Sequence, residues 1–282
     1  MLTKGIFSIF VLFLSGILIG QTKNPQVVSR SSANDLLTRS LSVNAGGGAI
    51  RDISMSGTVR HIAGSTDETG QVNFMAMATG EARIELDLAS GTIIEVYSRG
   101  SHGLIGEWSG ADKKTHPIPY HNLQVDPAWF CPSLILQRMG PNTPGKSLTA
   151  PGQTSIRGRV LEHLSSSQQL VNTPGALRPS AQMLAASVAA SQLDVYLDPT
   201  SLQPVEVDYA THADNNVNQS LPVKILYADY RLVDGVQLPF RIQKFLNGSL
   251  ILDLQLQEAT INTGLAANSF IVSEETSRSL LQ

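Results

Sequence analysis

Apolar and polar residues alternate most regularly near the end of the chain, from Val223 to Ile261. A side-chain period of two is typical of strands with one buried and one solvated face. Asp234-Gly235 and Asn247-Gly248 interrupt the alternation, and both dipeptides favour the positive backbone angles of tight hairpin turns. The stretch therefore predicts a three-stranded antiparallel meander. Its last strand could run for about 13 residues, a length that indicates a strongly curved sheet.

Shorter stretches with the same alternation precede this meander. The clearest runs from Glu81 to Leu88, where the even-numbered positions are all apolar and the odd-numbered ones all charged. The connections are short and contain glycine, so neighbouring strands should pair antiparallel. We predict further strands over residues 50–60, 71–78, 91–98, 103–108, 155–164, 193–197 and 205–209.

Helical spacing is confined to a few segments. Residues 117–151 hold seven of the 14 prolines and lose the alternation, which predicts short helices interrupted at Pro127 and Pro132. We also predict a helix over residues 32–41, a helix turn or two over residues 181–190, a surface loop over residues 165–180 and a polar excursion over residues 212–220.

At least eight strands thus present apolar residues to one side of what we interpret as a single sheet. The predicted fold class is mainly β: a strongly curved antiparallel sheet or a barrel, with a few covering helices. We find neither a long repeat nor an internal linker. Residues 31–282 are therefore predicted to form one domain, with a proline-rich helical middle at 117–151.

The first 20 residues carry an early lysine, Lys4, followed by an apolar run, in the form of a secretory signal peptide. An uncleaved membrane anchor is the alternative, although the run is short for a span. Residues 21–30 read as a flexible polar leader. We therefore expect a periplasmic or secreted protein that is at most peripheral to a membrane. Cys131 is the only cysteine, so it forms no internal disulfide; we expect a buried side chain, with a reactive thiol as the alternative.

Composition and motifs exclude several functional classes. The formal net charge of −3 and the absence of a Lys/Arg cluster argue against nucleic-acid binding. The six histidines form no metal signature, and no cofactor motif is present. We expect no enzymatic activity, because no nucleophile, base and orienting group assemble from specific motifs. A hydrolase that uses Ser109 with His102 or His121 is the enzyme alternative, although this serine lies one position too late for a nucleophile elbow.

The informative signal is the large apolar strand face, which must be covered by a second sheet, by helices or by a ligand. Few helical residues are available, so a curved sheet would leave an apolar concavity suited to small apolar molecules. The alternative is a filled core in a scaffold module that binds an envelope protein. We expect a monomer. The predicted lining is Phe74, Ile84, Leu86, Val96, Leu238, Phe240, Leu252 and Leu254, with Trp129, Phe130 and Leu134 as a lid.

The end of the chain carries a series of short motifs: Val195-Tyr196-Leu197-Asp198-Pro199, Leu226-Tyr227-Ala228-Asp229-Tyr230-Arg231, Val233-Asp234-Gly235-Val236-Gln237-Leu238-Pro239, Ile261-Asn262 and Phe270. Together with the order of the predicted elements, these motifs resemble the periplasmic lipoprotein-carrier superfamily of LolA-like and LolB-like proteins. The resemblance implies an unclosed antiparallel half-barrel, capped by helices, whose concave apolar face holds the acyl chains of a lipid or lipoprotein. No individual residue's role is carried over.

Overall fold

The computed structural model describes residues 32–46, 48–100, 103–110, 112–125, 127–140, 145–170 and 178–279. The predicted signal peptide and leader lie outside these residues, so the predicted domain boundaries stay predictions. The strands are β1 Asp52–Ala63, β2 Thr66–Met77, β3 Ala82–Leu88, β4 Gly91–Gly100, β5 Gly103–Ser109, β6 Thr115–Pro117, β7 Lys146–Ile156, β8 Arg159–Gln168, β9 Leu193–Leu197, β10 Pro204–Ala213, β11 Asn216–Val233, β12 Val236–Leu246 and β13 Ser249–Ile261.

The helices cover little of the chain. They are α1 Ala33–Asn44, α2 Pro132–Met139, α3 Ala181–Ala190 and α4 Glu274–Ser279, with single 3-10 turns at Tyr120–Asn122 and Ala267–Phe270. The prolines act as predicted in α2, which begins at Pro132, where a helix needs no backbone N–H. Among the residues described, no helix is both long enough and apolar enough to cross a bilayer.

All 13 strands belong to one sheet in the order β6-β5-β4-β3-β2-β1-β13-β12-β11-β10-β9-β8-β7, and every neighbouring pair is antiparallel. The first and last strands therefore pair in the middle, while β6 and β7 form the two edges. β4 and β10 are separated by six strands and yet line one cleft, so the sheet curves back on itself. The predicted fold class, a curved and unclosed antiparallel sheet with a few helices, is confirmed.

Three local predictions are corrected. Residues 155–164 are not one strand, because β7 and β8 meet there at a turn where Arg157 and Gly158 both have positive φ. The predicted loop at 165–180 begins later, since β8 continues to Gln168. The polar excursion at 212–220 is mostly strand: β10 ends at Ala213 and β11 starts at Asn216. Residues 216–220 are exposed, so no apolar alternation reveals that strand.

The proline-rich segment also ends earlier than predicted, because β7 starts at Lys146 and runs through Pro151. β7 is an edge strand, and its pairing with β8 shifts register between Thr149 and Gly152. Proline is tolerated at such a place because no ladder hydrogen bond is lost. The rest of the segment leads from the β6 edge of the sheet to the β7 edge.

Candidate functional site

The half-barrel has two ends, because successive turns of an antiparallel sheet alternate between its two sides. The turns at 78–81, 198–203 and 234–235 lie at one end, which we call the sealed end. The turns at 64–65, 89–90, 214–215 and 247–248 lie at the other, which we call the open end.

Helices α1 and α2 cover the sealed end, and polar side chains of both helices form hydrogen bonds with backbone groups there. Ser40 Oγ and Asn44 Nδ2 in α1 donate to the carbonyl oxygen of Leu202 at 2.8 and 2.9 Å. Gln137 of α2 binds the backbone of Ile50 twice, because Nε2 donates at 2.9 Å and Oε1 accepts at 3.0 Å. After α1, a Cβ on Gly46 would lie 2.5 Å from the carbonyl oxygen of Gly235, so the close approach to the β11–β12 turn requires glycine.

All the predicted lining and lid residues are buried, and the structure places nearly all of them in one hydrophobic cluster. The protein's own side chains therefore cover the concave face in this state. Whether these residues also contact a ligand stays a prediction. The members of the cluster are Phe74, Ile84, Leu86, Trp129, Phe130, Leu134, Leu238, Phe240, Leu252 and Leu254.

Val96 differs from the other predicted lining residues, because the structure places it on the opposite face of the sheet. It pairs with Arg83, whereas the inward residue Ile84 pairs with Glu95, and opposed residues share a face. The outer face there is covered by the segment around the buried Phe270. Apolarity alone therefore could not identify the inner face of β4.

Two aromatic residues after Pro127 fill the concavity, and we call Trp129 and Phe130 the plug. Phe130 stacks on Phe74 of β2 with centroids 4.4 Å apart, and Trp129 meets the same ring edge-on at 5.5 Å. Tyr227 Oη donates to the carbonyl oxygen of Trp129 at 2.6 Å. The next residue, Cys131, is fully buried, as expected.

The sheet has two wings, strands β1–β6 and strands β7–β13. Beside the plug, a cleft of about 250 Å³ lies between these wings and reaches the turn at 214–215 of the open end. Its walls combine aromatic, apolar and charged groups. The lining residues are Glu95, Tyr97, Trp108, Ile118, Pro119, Asn122, Val125, Pro127, Trp129, Tyr209, Thr211, Asp214, Val223, Lys244, Leu246 and Ile251.

The charged groups of the cleft come from opposite wings. Glu95 is an inward residue of β4, and Lys244 is an inward residue of β12. Lys244 Nζ lies 4.3 Å from the centroid of the Trp129 ring, a cation–π distance. Burial lowers the pKa of Lys244 below its usual value, and the charge of Glu95 opposes that shift. Burial and then Glu95 raise the pKa of Tyr97 well above 10.

Hydrogen bonds at the open end join the 3-10 turn Tyr120–Asn122 to β10, and we call this group of contacts the clasp. Asn122 Nδ2 donates to the carbonyl oxygen of His212 at 2.9 Å, and Asn122 Oδ1 accepts from His212 N at 2.9 Å and from Thr211 Oγ1 at 3.1 Å. The rings of His121 and His212 meet edge-on, with centroids 5.9 Å apart. Three buried nitrogens here lack a hydrogen-bond partner among the described atoms: Trp129 Nε1, His121 Nε2 and His212 Nδ1.

A second cavity, of about 270 Å³, lies between β5 and β8 and is lined by three cationic side chains. Each of them already binds a backbone carbonyl: Arg99 that of Thr79, Arg138 that of Met77, and Lys146 that of Arg138. These cations hold the protein together, so the cleft with Lys244 is the better candidate site.

The groups of the enzyme alternative are not assembled in the described structure. Ser109 pairs with Ile94, next to the inward Glu95, so its side chain lies on the outer face. His121 instead packs against His212, and no hydrogen bond joins it to Ser109 where the structure describes both residues. His102 lies outside the described residues. The described residues also contain no cluster of three or more His, Cys, Asp or Glu that could hold a metal ion.

Comparisons with solved structures identify the fold. No family model matches this chain, and no curated protein matches it in sequence. The structure of a DUF1329 family protein from Desulfovibrio piger is 11% identical, covers 89% of this chain and 98% of its own, and has a TM-score of 0.50.

Two further structures align with a similar share of the chain. An outer membrane lipoprotein-sorting protein domain from Vibrio parahaemolyticus is 9% identical, covers 85% of this chain and 95% of its own, with a TM-score of 0.48. A LolA superfamily protein from Nitrosomonas europaea is 10% identical, covers 86% and 98%, with a TM-score of 0.47. At such identities the likeness concerns the fold alone. The predicted resemblance to LolA-like proteins is confirmed at the level of the fold alone.

Proposed function

We propose that this protein binds the acyl chains of a lipid or lipoprotein on its concave face and acts as a non-enzymatic carrier or sensor. The observation that supports the proposal is the way in which the apolar face of the sheet is covered. A short plug outside regular secondary structure fills its centre, and a cleft of about 250 Å³ lies beside that plug. The proposed location is the cell envelope, after removal of residues 1–20.

An acyl chain would have to displace the plug. The cleft is smaller than the roughly 300–1,000 Å³ of typical small-molecule sites, so it holds only part of a long chain. Removal of the plug costs its stacking on Phe74 and the hydrogen bond from Tyr227. Each CH₂ of a ligand buried in its place contributes about 0.8 kcal/mol, so a chain of 16 carbons can offset that loss.

A scaffold function is the second candidate, and the complete burial of the predicted lining favours it. In that case the plug is a permanent part of the core, and the protein acts by binding an envelope partner. The two candidates differ in one property, which is whether the plug moves when an acyl chain is present.

Cys131 offers a direct test, because it is the only cysteine, is fully buried, and directly follows the plug. We expect hexadecanoate to change the rate at which a thiol reagent modifies Cys131 under native conditions, whereas butyrate should not. Native mass spectrometry of protein purified from its own envelope should show bound lipid. An apo mass together with an unchanged labelling rate would overturn acyl binding and favour the scaffold function.

A further inference from the structure

Lys244 occupies an inward position whose two neighbours across the strands are apolar. It pairs with Ile225 of β11 on one side and with Leu252 of β13 on the other, and both are buried in the core. Within β12 it continues the inward series of Phe240 and Ile242. A charged residue at such a position removes its ammonium group from most of the surrounding water, which is unfavourable without a partner.

No carboxylate in the described part of the chain forms an ion pair with Lys244. Its contact is the face of Trp129 at 4.3 Å, and Glu95 acts on it only at longer range, from the opposite wall. Lys224 of the neighbouring strand shows the usual arrangement. It forms ion pairs with Glu206 and, at 3.1 Å, with Asp208. The unpaired lysine is thus a feature of the cleft.

A second donor at the same contact also lacks an acceptor. The indole Nε1 of Trp129 is buried and has no hydrogen-bond partner among the described atoms. Lys244 and Trp129 both line the cleft and lie against each other. The indole of Trp129 therefore covers the ammonium group of Lys244 in this state, and displacement of the plug would leave that cation to an anionic group.

We propose that Lys244 binds the anionic head group, a carboxylate or a phosphate, of a ligand whose acyl chain lies in the adjoining concavity. This inference rests on the proposed function, because it assigns one end of the same ligand. The head group would lie in the cleft between the wings, within reach of the open end, while the chain would replace the plug. Glu95 and Asp214, which share the cleft, would disfavour a ligand with a second negative group.

The experiment is competition for a fluorescent acyl probe by four compounds. They are hexadecanoate, a lysophosphatidate with a 16-carbon chain, the uncharged monoacylglycerol of the same chain, and inorganic phosphate. For the wild-type protein we expect the two anionic lipids to compete at concentrations at least about tenfold lower than the monoacylglycerol, the factor that one charge-assisted hydrogen bond supplies. Phosphate alone should not compete.

Lys244→Met should abolish this preference, so that the anionic lipids compete no better than the monoacylglycerol. Lys244→Arg, which retains the charge, should keep the preference and also covers the case in which the methionine variant does not fold. The matched control is Lys114→Met, because the side chain of Lys114 is 76% exposed in a turn outside the cleft. It changes the net charge by the same amount and should leave all four values unaltered.

Each outcome decides one of the two proposals. An anionic preference that survives in Lys244→Met overturns the head-group site and leaves acyl binding intact. Competition by inorganic phosphate as strong as that by lysophosphatidate also overturns it, because the site then binds free anions. If wild-type protein binds neither the probe nor any of the lipids, it is the acyl-binding function itself that fails.

Discussion

The two ends of the half-barrel differ in how many of their buried polar atoms lack a hydrogen-bond partner among the described atoms: Asn44 Oδ1 is the one at the sealed end, and the open end has several. At the sealed end, Asn44 and Gln137 fasten the helices to backbone carbonyl groups. At the open end, Lys244 has no ion pair among the described residues, and His212 Nδ1 has no hydrogen-bond partner there. Unpaired buried groups reduce stability, so their concentration at one end indicates a role other than stability. We infer that one end maintains the fold and the other is the site of binding.

The largest loss of stability should come from a substitution on the inner face of β13, in the middle of the sheet. Leu254 is fully buried and faces inward, so Leu254→Asp places an unpaired charge in the core and should lower the free energy of unfolding by about 3–5 kcal/mol. Gln257→Asp is the matched control, because residue 257 is exposed on the same strand, and it should change stability by less than about 0.5 kcal/mol. Urea unfolding measures both. Equal tolerance would mean that the faces of β13 are misassigned.

The comparison of the ends is tested by a pair of variants. Asn44→Ala removes the hydrogen bonds from Nδ2 to the carbonyl oxygens of Leu202 and Ser40, and should cost about 1–3 kcal/mol. The loss of Oδ1, which has no partner among the described atoms, should offset a small part of that cost. Lys244→Met should leave stability unchanged or increase it, because it removes a charge without a partner. If urea unfolding ranks Lys244→Met as the more destabilising change, the contrast between the ends does not hold.

The smallest effect should be a dependence on pH that is confined to the open end. Burial, and then the charge of His121, lower the pKa of His212 below its usual value of 6.5. The unfolded chain therefore binds more protons than the folded one as the pH falls through 6.5, so the clasp should lose stability toward acid.

Hydrogen exchange is the appropriate measurement for this effect. Between about pH 7.5 and pH 5.5, the range in which histidine titrates, amides 211–213 should lose protection while those around Asn44 keep it. His212→Asn should reduce the difference between the two pH values. Equal loss of protection at both ends would contradict the assignment to His212.

Regular burial made much of the fold predictable from the sequence. The meander from Val223 to Ile261 has one wet face and one buried face, and its turns carry Asp-Gly and Asn-Gly, so the prediction matches the structure strand for strand. The hairpin at 214–215 extends beyond the core and could not be found from burial. Val96 resembles a lining residue in the sequence although it faces outward, because the outer face of β4 is also covered.

The candidate site was harder to predict, because its chemistry comes from polar residues at inward positions. Alternation assigns polar residues to the wet face and so predicts a solvated side chain at Glu95, whereas the structure places it inside. Lys244 did carry a signal: it follows Phe240 and Ile242 in steps of two, which places it inside. Glu95 and Lys244 line the same cleft only because the sheet is curved, and no local pattern encodes that curvature.

The pairing of β1 with β13 also sets an order on the folding of the chain. Until β13 is available, the strands from β1 to β6 and those from β7 to β12 form two meanders without a hydrogen bond between their ladders. Joining them requires contact between residues about 200 positions apart, such as Ile53 and Ile261, and such distant contacts slow folding. The final strand thus joins the two halves, and a chain released before residue 249 would lack the strand that connects its two half-sheets.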